Sequence, residues 1–186
     1  MIATILFIAV VSTACINNIA VQELNNKAAE YMQKGDYEAA VNRLQASLDL
    51  DNTMFQTYYN LGVAAINANK YDIAVEALED GIKIKPYYAD FYYSLGVAKI
   101  GLADDMYEKA TMEEEASIDT QEGVADIKRE ITDEEKANII ELKKSAAENL
   151  RKYLEMTSDA KDRDVIEEMI KQSEEFIAEN EKKEEA

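Results

Sequence analysis

The pattern of apolar and polar residues along this chain occurs twice in its first half. The stretches KGDYEAAVNRLQASLDLDN at 34–52 and NKYDIAVEALEDGIKIKP at 69–86 both carry apolar residues every three or four positions. The matching apolar positions, each pair separated by the same interval, are Ala40 with Ala74, Leu44 with Leu78, and Leu48 with Ile82. This spacing predicts amphipathic helices, and the constant offset predicts stacked helix–turn–helix units.

Small residues recur at the same interval and predict where the helices approach each other. Ala28, Gly62 and Gly96 occupy equivalent positions on the first helix of successive units. A larger side chain at these positions would overpack the contact between the two helices of a unit. Pro86 predicts the end of the second unit, because proline has no N–H to donate to a helix.

Segments 21–54, 55–88 and 89–158 resemble the tetratricopeptide repeat (TPR), a helix–turn–helix unit whose length matches the offset between the two stretches. The residues that carry the resemblance in the second unit are Tyr58, Leu61, Gly62, Tyr71, Ala74, Leu78, Gly81, Ile82 and Pro86. The resemblance implies an all-α fold, a short α-solenoid. It also implies a non-catalytic module that binds other proteins rather than an enzyme.

The third unit departs from this pattern after Gly96. The stretch AAENLRKYLEMTSDA at 146–160 is the counterpart of the second helix, displaced well beyond its position in the regular repeat. We expect an acidic insert at about 104–135 and two elongated antiparallel helices, the second starting at a capping box formed by Thr132 and Glu135. A capping helix is predicted at about 162–181, so the repeat domain spans 22–182 and the tail 183–186 frays.

The resemblance also implies a concave groove lined by the first helix of each unit. A groove of this composition, apolar and tyrosine-containing, suits an amphipathic helix or an extended peptide segment of a partner protein. It lacks the Lys, Asn and Arg clamp with which some family members bind chaperone C-termini, since only Asn60 matches. The predicted groove residues are Asn25, Ala29, Met32, Gln56, Tyr59, Val63, Ile66, Asp90, Tyr93, Val97 and Ile100.

Charge and composition narrow the function further. The 186 residues include 38 acidic and 20 basic side chains, a net charge of −18, so a nucleic-acid backbone would be repelled. The chain has no histidine and one cysteine, which excludes histidine-dependent catalysis, Cys/His zinc sites and an internal disulfide. A calcium loop at 119–130 is not predicted either, because Gly123 stands where a side-chain ligand belongs. We expect no cofactor and no metal.

The first fifteen residues, MIATILFIAVVSTAC, contain no charged side chain. Their apolar run is too short to span a bilayer, and small residues precede the cysteine, as in a secretory signal. The arrangement resembles a bacterial lipoprotein signal, although Lys or Arg is absent before the run and Ser12 occupies a usually aliphatic position. The expectation is a signal peptide at 1–15, lipidation of Cys15, a tether at 16–21, and a periplasm-facing envelope protein. Ile16 favours the outer membrane.

Several alternatives stay open at this point. In one alternative, residues 2–16 form a buried first helix. In a second alternative the protein is a transporter-associated or small-ligand-binding TPR lipoprotein in an oligomer. In a third it self-associates through the projecting hairpin, and in a fourth it is an enzyme that relies on carboxylates alone.

Overall fold

The computed structural model describes residues 2–111 and 131–181, with side chains from residue 18 onward. Within these ranges the chain contains seven helices and no strand, which confirms the predicted all-α class. The chain divides into two compact units, Met1–Ala98 and Lys99–Ala186, and the boundary falls within a helix. The helices are α1 (Ile2–Gln33), α2 (Tyr37–Leu50), α3 (Phe55–Asn67), α4 (Tyr71–Ile84), α5 (Ala89–Thr111), α6 (Asp133–Met156) and α7 (Arg163–Glu181).

The turn between α1 and α2 and the turn between α3 and α4 share a backbone conformation at equivalent positions of the repeat. Gly35, after α1, has φ +76°, and Asn69, after α3, has φ +56°. Glycine adopts this left-handed conformation without a steric penalty, and asparagine tolerates it better than most residues. The repeat inferred from apolar positions therefore extends to the backbone of the turns.

Both turns also close with the same hydrogen bond. The Asp36 amide donates to the Tyr31 carbonyl at 2.9 Å, and the Lys70 amide donates to the Ala65 carbonyl at 2.8 Å. These bonds satisfy carbonyls that would otherwise be unpaired at the helix ends. Asp36 then caps α2, because its carboxylate accepts from the Ala39 amide.

Glycines bring the helices of the first unit into close contact, as predicted for Gly62. A Cβ atom there would lie 2.4 Å from Cγ of Leu78, and one at Gly81 would lie 2.3 Å from Cε1 of Phe91. Leu44, Leu78 and Phe91 are fully buried at the centre of this core. The small residues therefore set the distance at which α3 packs on α4 and α4 packs on the start of α5.

The third repeat has elongated helices on both sides of its predicted insert. Ala103, which is equivalent in the repeat to the turn residue Asn69, is buried inside α5, and this helix runs for 23 residues where α3 has 13. The helix α6 begins with the predicted capping box: Oγ1 of Thr132 accepts from the Glu135 amide, and the Glu135 carboxylate accepts from the Thr132 amide. The middle of the insert, 112–130, lies outside the described residues.

The second unit consists of the end of α5 together with α6 and α7. Its core contains Ile139, Leu150 and Ile166, each at most 1% exposed. Lys143 is also buried, with its Nζ 2.5 Å from a carboxylate oxygen of Asp104 and 5.5 Å from the ring centroid of Phe176. The position of α7 agrees with the predicted capping helix at about 162–181.

The N-terminal segment is part of α1 in the structure. The helix begins at Ile2, so the predicted tether at 16–21 lies within it. The side chain of Cys15 is outside the described residues. Signal cleavage and lipidation at this position therefore stay predictions.

Candidate partner-binding groove

The predicted groove residues lie on α1, α3 and α5, and none of them is fully buried. Ala29 and Gln56 are exposed and the other nine are partly exposed. Ten of them belong to the first unit, whereas Ile100 lies beyond the boundary at Lys99 and belongs to the second. Partial exposure is what a residue needs in order to contact both its own domain and a ligand.

Four aromatic rings pack together where α3 meets α5. Tyr59 contacts the ring of Tyr88 at 5.3 Å and the ring of Phe91 at 5.6 Å, both edge to face. Phe55 contacts the same two rings at 5.6 and 6.4 Å, and Tyr88 contacts Phe91 at 5.4 Å. We call Phe55, Tyr59, Tyr88 and Phe91 the aromatic cluster. Edge-to-face geometry brings the positive ring edge to the negative ring face, so these contacts hold Tyr59 in one orientation.

Three members of the aromatic cluster were missed in the sequence analysis. Phe55 is the first residue of the second repeat, 55–88, and Tyr88 is its last, so they are far apart in sequence although their rings touch. A signal was available, because five of the seven residues at 87–93 are aromatic. This density of aromatic residues predicts a surface with large, rigid side chains, but it does not predict which rings contact each other.

Asp90 places a carboxylate beside the aromatic cluster. Burial, followed by a hydrogen bond to Asp90, raises the pKa of Tyr88 to about 12. The Tyr88 hydroxyl is therefore protonated at neutral pH and donates to the Asp90 carboxylate. The remaining lone pairs of that carboxylate suit a donor, such as a backbone N–H or a basic side chain.

Asn25 bonds to partners inside the first unit. Its Nδ2 donates to Oγ of Ser47 at 2.8 Å and to the Val21 carbonyl at 2.9 Å, and its Oδ1 accepts from Oγ1 of Thr57 at 3.3 Å. Ser47 and Thr57 are fully buried. The amide thus joins α1, α2 and α3 and satisfies two buried hydroxyls, and both of its N–H groups are already used.

The positions of the chaperone clamp carry no basic side chain. Asn25 is bonded internally, Ala29 has no polar group, Asp90 is acidic, and Ser94 is only 5% exposed. An acidic peptide terminus would find no cation at these four positions to offset the loss of its hydration.

Two kinds of site are absent from the described side chains. No set of three or more His, Cys, Asp or Glu residues in 18–111 and 131–181 is grouped to bind a metal. Over the same part of the chain, no helix has both the length and the apolar character needed to span a membrane.

Two family profiles match the first unit. Residues 28–65 match the family described as TPR repeat, and residues 55–88 match the family described as tetratricopeptide repeat. Residues 28–88 therefore match tetratricopeptide repeats, as the sequence predicted for this part of the chain. No curated protein sequence gives a significant match.

Solved structures confirm the predicted TPR-type α-solenoid fold. The Arabidopsis OM64 TPR domain superposes with a TM-score of 0.59 at 15% identity, covering 84% of this chain and 98% of that domain. The first TPR domain of Spaghetti (RPAP3), bound to the HSP90 peptide SRMEEVD, gives 0.58 at 13%, covering 85% and 93%. The TPR2B domain of yeast Sti1, in complex with an Hsp70 peptide, gives 0.53 at 14%, covering 84% and 98%. At these identities the likeness shows the fold alone.

Proposed function

We propose that this protein is a non-catalytic interaction module that binds a segment of a partner protein against α3 and α5 of the first unit. The aromatic cluster carries the proposal. Phe91 is fully buried, while Tyr59 stands on it and stays partly exposed. A rigid ring supported from below makes a good anchor, because little conformational entropy is lost when a partner packs on it.

The chemistry of the groove favours a partner segment with apolar anchors over an acidic peptide. Val63 on α3 and Val97 on α5 lie one helical turn beyond Tyr59 and Tyr93, and these aliphatic residues, like Ile66, are partly exposed. The charged member of the predicted set is Asp90, and the whole chain carries −18. An amphipathic helix or an extended segment whose polar residues are neutral or basic fits this surface.

The TPR domains of RPAP3 and Sti1 are seen with peptides of chaperones. By analogy of fold, peptide binding is the activity proposed here, whereas the ligand class differs because the basic clamp is missing. The same likeness supports a non-catalytic role, since catalysis would need reactive groups that the described groove does not bring together.

The proposal places the module in a bacterial envelope, held to the membrane by a lipid on Cys15 and facing the periplasm. The run at 1–14 without a charged side chain, followed by Cys15, supports this location. Incorporation of radiolabelled palmitate by wild type, and its loss in Cys15→Ser, tests the anchor. Labelling of neither protein would refute it without affecting the groove.

Affinity capture with the full chain tests the interaction. Wild type is compared with the Tyr59→Ala/Tyr93→Ala variant in the same envelope extract, with circular dichroism to check that the variant is folded. The matched control is Tyr87→Ala, which removes a tyrosine that is 87% exposed and lies outside the aromatic cluster. We expect one partner to be retained by wild type and Tyr87→Ala and lost by the double variant. Equal capture by all three would refute the groove as the site.

A further inference from the structure

A surface pocket of about 160 Å³ lies between α2, α3 and α4 of the first unit. None of the eleven predicted groove residues lines it, and neither α1 nor α5 contributes to it. We call it the α2–α4 pocket. It is a second concave site in the described part of the chain, distinct from the proposed groove.

The floor of the α2–α4 pocket is apolar. Leu48, Leu61 and Ile73 line it, and Leu61 is only 4% exposed. The other two side chains pack partly buried against the hydrophobic core. Such a floor suits a chain of methylene groups, because the removal of each methylene group from water is favourable.

The rim of the α2–α4 pocket is acidic. Glu76 and Asp80 lie one helical turn apart on α4, with the hydroxyl-bearing ring of Tyr58 opposite on α3. Burial, and then the charge of Asp80, raises the pKa of Tyr58, so its phenol is protonated beside the carboxylate. The two carboxylates and the phenol oxygen present acceptors at one edge of an apolar depression.

One cation of the chain already lies at this rim. The ammonium of Lys83 is 2.7 Å from a carboxylate oxygen of Asp80, and the Lys83 side chain is 74% exposed. Exposed pairs at this spacing contribute little to stability, because both side chains lose freedom and water screens the charges. A better-placed cation from outside would therefore displace Lys83 easily.

We propose that the α2–α4 pocket receives a single basic side chain, Lys or Arg, of a partner protein. The methylene stem lies on the apolar floor and the charged head meets Glu76 and Asp80, the arrangement that long basic side chains adopt at apolar surfaces. The net charge of −18 steers positively charged segments toward the chain and repels acidic ones.

The size of the α2–α4 pocket argues for a side chain rather than a free ligand. Cavities near 150 Å³ hold one group about as large as benzene, whereas sites for free small molecules usually measure about 300–1,000 Å³. At about 160 Å³ this pocket accommodates one side chain whose remaining binding energy comes from its neighbours in the partner.

Nuclear magnetic resonance titration of the full chain tests the proposal with three probes. The tripeptide acetyl-Gly-Lys-Gly-amide supplies the basic side chain, and the same peptide with norleucine supplies the stem without its charge. The third probe, n-butylammonium, supplies the charged stem without a peptide. We expect the lysine peptide to shift the methyl signals of Leu48 and Ile73 saturably at millimolar concentration, and the norleucine peptide to bind at least fivefold more weakly.

Variants of the rim give opposite expected effects. The Glu76→Gln/Asp80→Asn variant should bind the lysine peptide roughly fivefold more weakly, as expected for partly exposed ion pairs. The Lys83→Gln variant removes the competing cation and should bind the lysine peptide about twofold to threefold more tightly. An unfolded or distorted protein would not bind the peptide more tightly. Asp72→Asn, an exposed change on the same helix outside the pocket, is the control and should have no effect.

Several outcomes would overturn the proposal. Equal binding of the norleucine peptide would make the pocket a purely apolar contact. Binding of n-butylammonium without the lysine peptide would make it a site for free amines. Shifts spread over all acidic helices, insensitive to Glu76→Gln/Asp80→Asn, would mean nonspecific attraction. Tyr59→Ala should leave this titration unchanged, so failure here and failure of the groove are separate results.

Discussion

Tyr59 and Tyr88 meet edge to face, with ring centroids 5.3 Å apart and ring planes at 90°. Tyr88 also donates to Asp90, so the ring that supports Tyr59 is itself held by a residue of the predicted groove. The proposed binding surface and the packing of the first unit therefore depend on the same side chains.

Substitutions of Tyr59 should separate the contributions of its ring and its hydroxyl. Tyr59→Ala removes edge-to-face contacts with Tyr88 and Phe91, each worth about 0.5–1.5 kcal/mol beyond area burial, so we expect a loss of about 2–3 kcal/mol. Tyr59→Phe keeps the ring and should cost less than about 1 kcal/mol. Urea unfolding followed by circular dichroism measures both. A Tyr59→Ala protein as stable as wild type would show that the aromatic cluster does not support the fold.

Alkaline titration tests the environment of Tyr88. Its folded pKa of about 12 exceeds the ordinary value of 10.0. Its contribution to stability is therefore fully present below pH 10 and is lost as the pH rises toward 12, because the unfolded state releases this proton first. Tyr88→Phe should remove the latest step of tyrosine ionisation seen by absorbance at 295 nm.

Asp90→Asn provides the matched test of the cause. Without the carboxylate, the Tyr88 hydroxyl loses a charged acceptor that favours its protonated form, so its pKa should move down toward the ordinary value. An unchanged late step in both variants would assign that step to another tyrosine.

Gly81→Ala tests the close approach of α4 to the start of α5. A Cβ atom 2.3 Å from the ring of Phe91 forces a shift costing about 1–3 kcal/mol, which outweighs the helix propensity gained over glycine, about 1 kcal/mol. A double-mutant cycle with Phe91→Leu provides the check. The cost of Gly81→Ala should be smaller in the Phe91→Leu background, and an equal cost in both would place the clash elsewhere.

The buried Lys143 gives an asymmetric prediction for the second unit. The Lys143 side chain is 8% exposed, whereas that of Asp104 is 62% exposed. Asp104→Asn leaves the ammonium buried without its anion and should cost about 1–3 kcal/mol, whereas Lys143→Met replaces it with an apolar chain and should cost less or stabilise. Urea unfolding of both variants measures these two costs. A larger cost for Lys143→Met than for Asp104→Asn would contradict the described pairing.

The features predicted correctly from sequence are those with a local signature. The constant offset between the repeats indicated the position of the turns, and Thr132 with Glu135 marked the start of α6, because a capping box depends only on nearby residues. The displaced counterpart of the second helix at 146–160 likewise predicted that the first helix of the third repeat would be elongated.

The features missed depend on contacts between distant parts of the chain. Phe55 and Tyr88 meet across the whole length of the second repeat, 55–88, and no periodicity indicates which rings pack together. Asn25 was assigned to the groove by its position in the repeat. Its bonds to Ser47 and Thr57 follow from packing of three helices, because polar pairing of this kind carries no sequence period.

Photo-crosslinking from the groove tests the central claim most directly. The photoreactive residue p-benzoylphenylalanine replaces Gln56, which is exposed within the predicted groove on α3, or Gln172, which is exposed on α7, lines neither the groove nor the α2–α4 pocket, and serves as the control. Both proteins are irradiated in the same envelope extract. We predict a crosslinked partner from position 56 and none from position 172, and loss of that product when Tyr59→Ala/Tyr93→Ala is added. A partner crosslinked equally from both positions, or unaffected by the double substitution, would contradict the account.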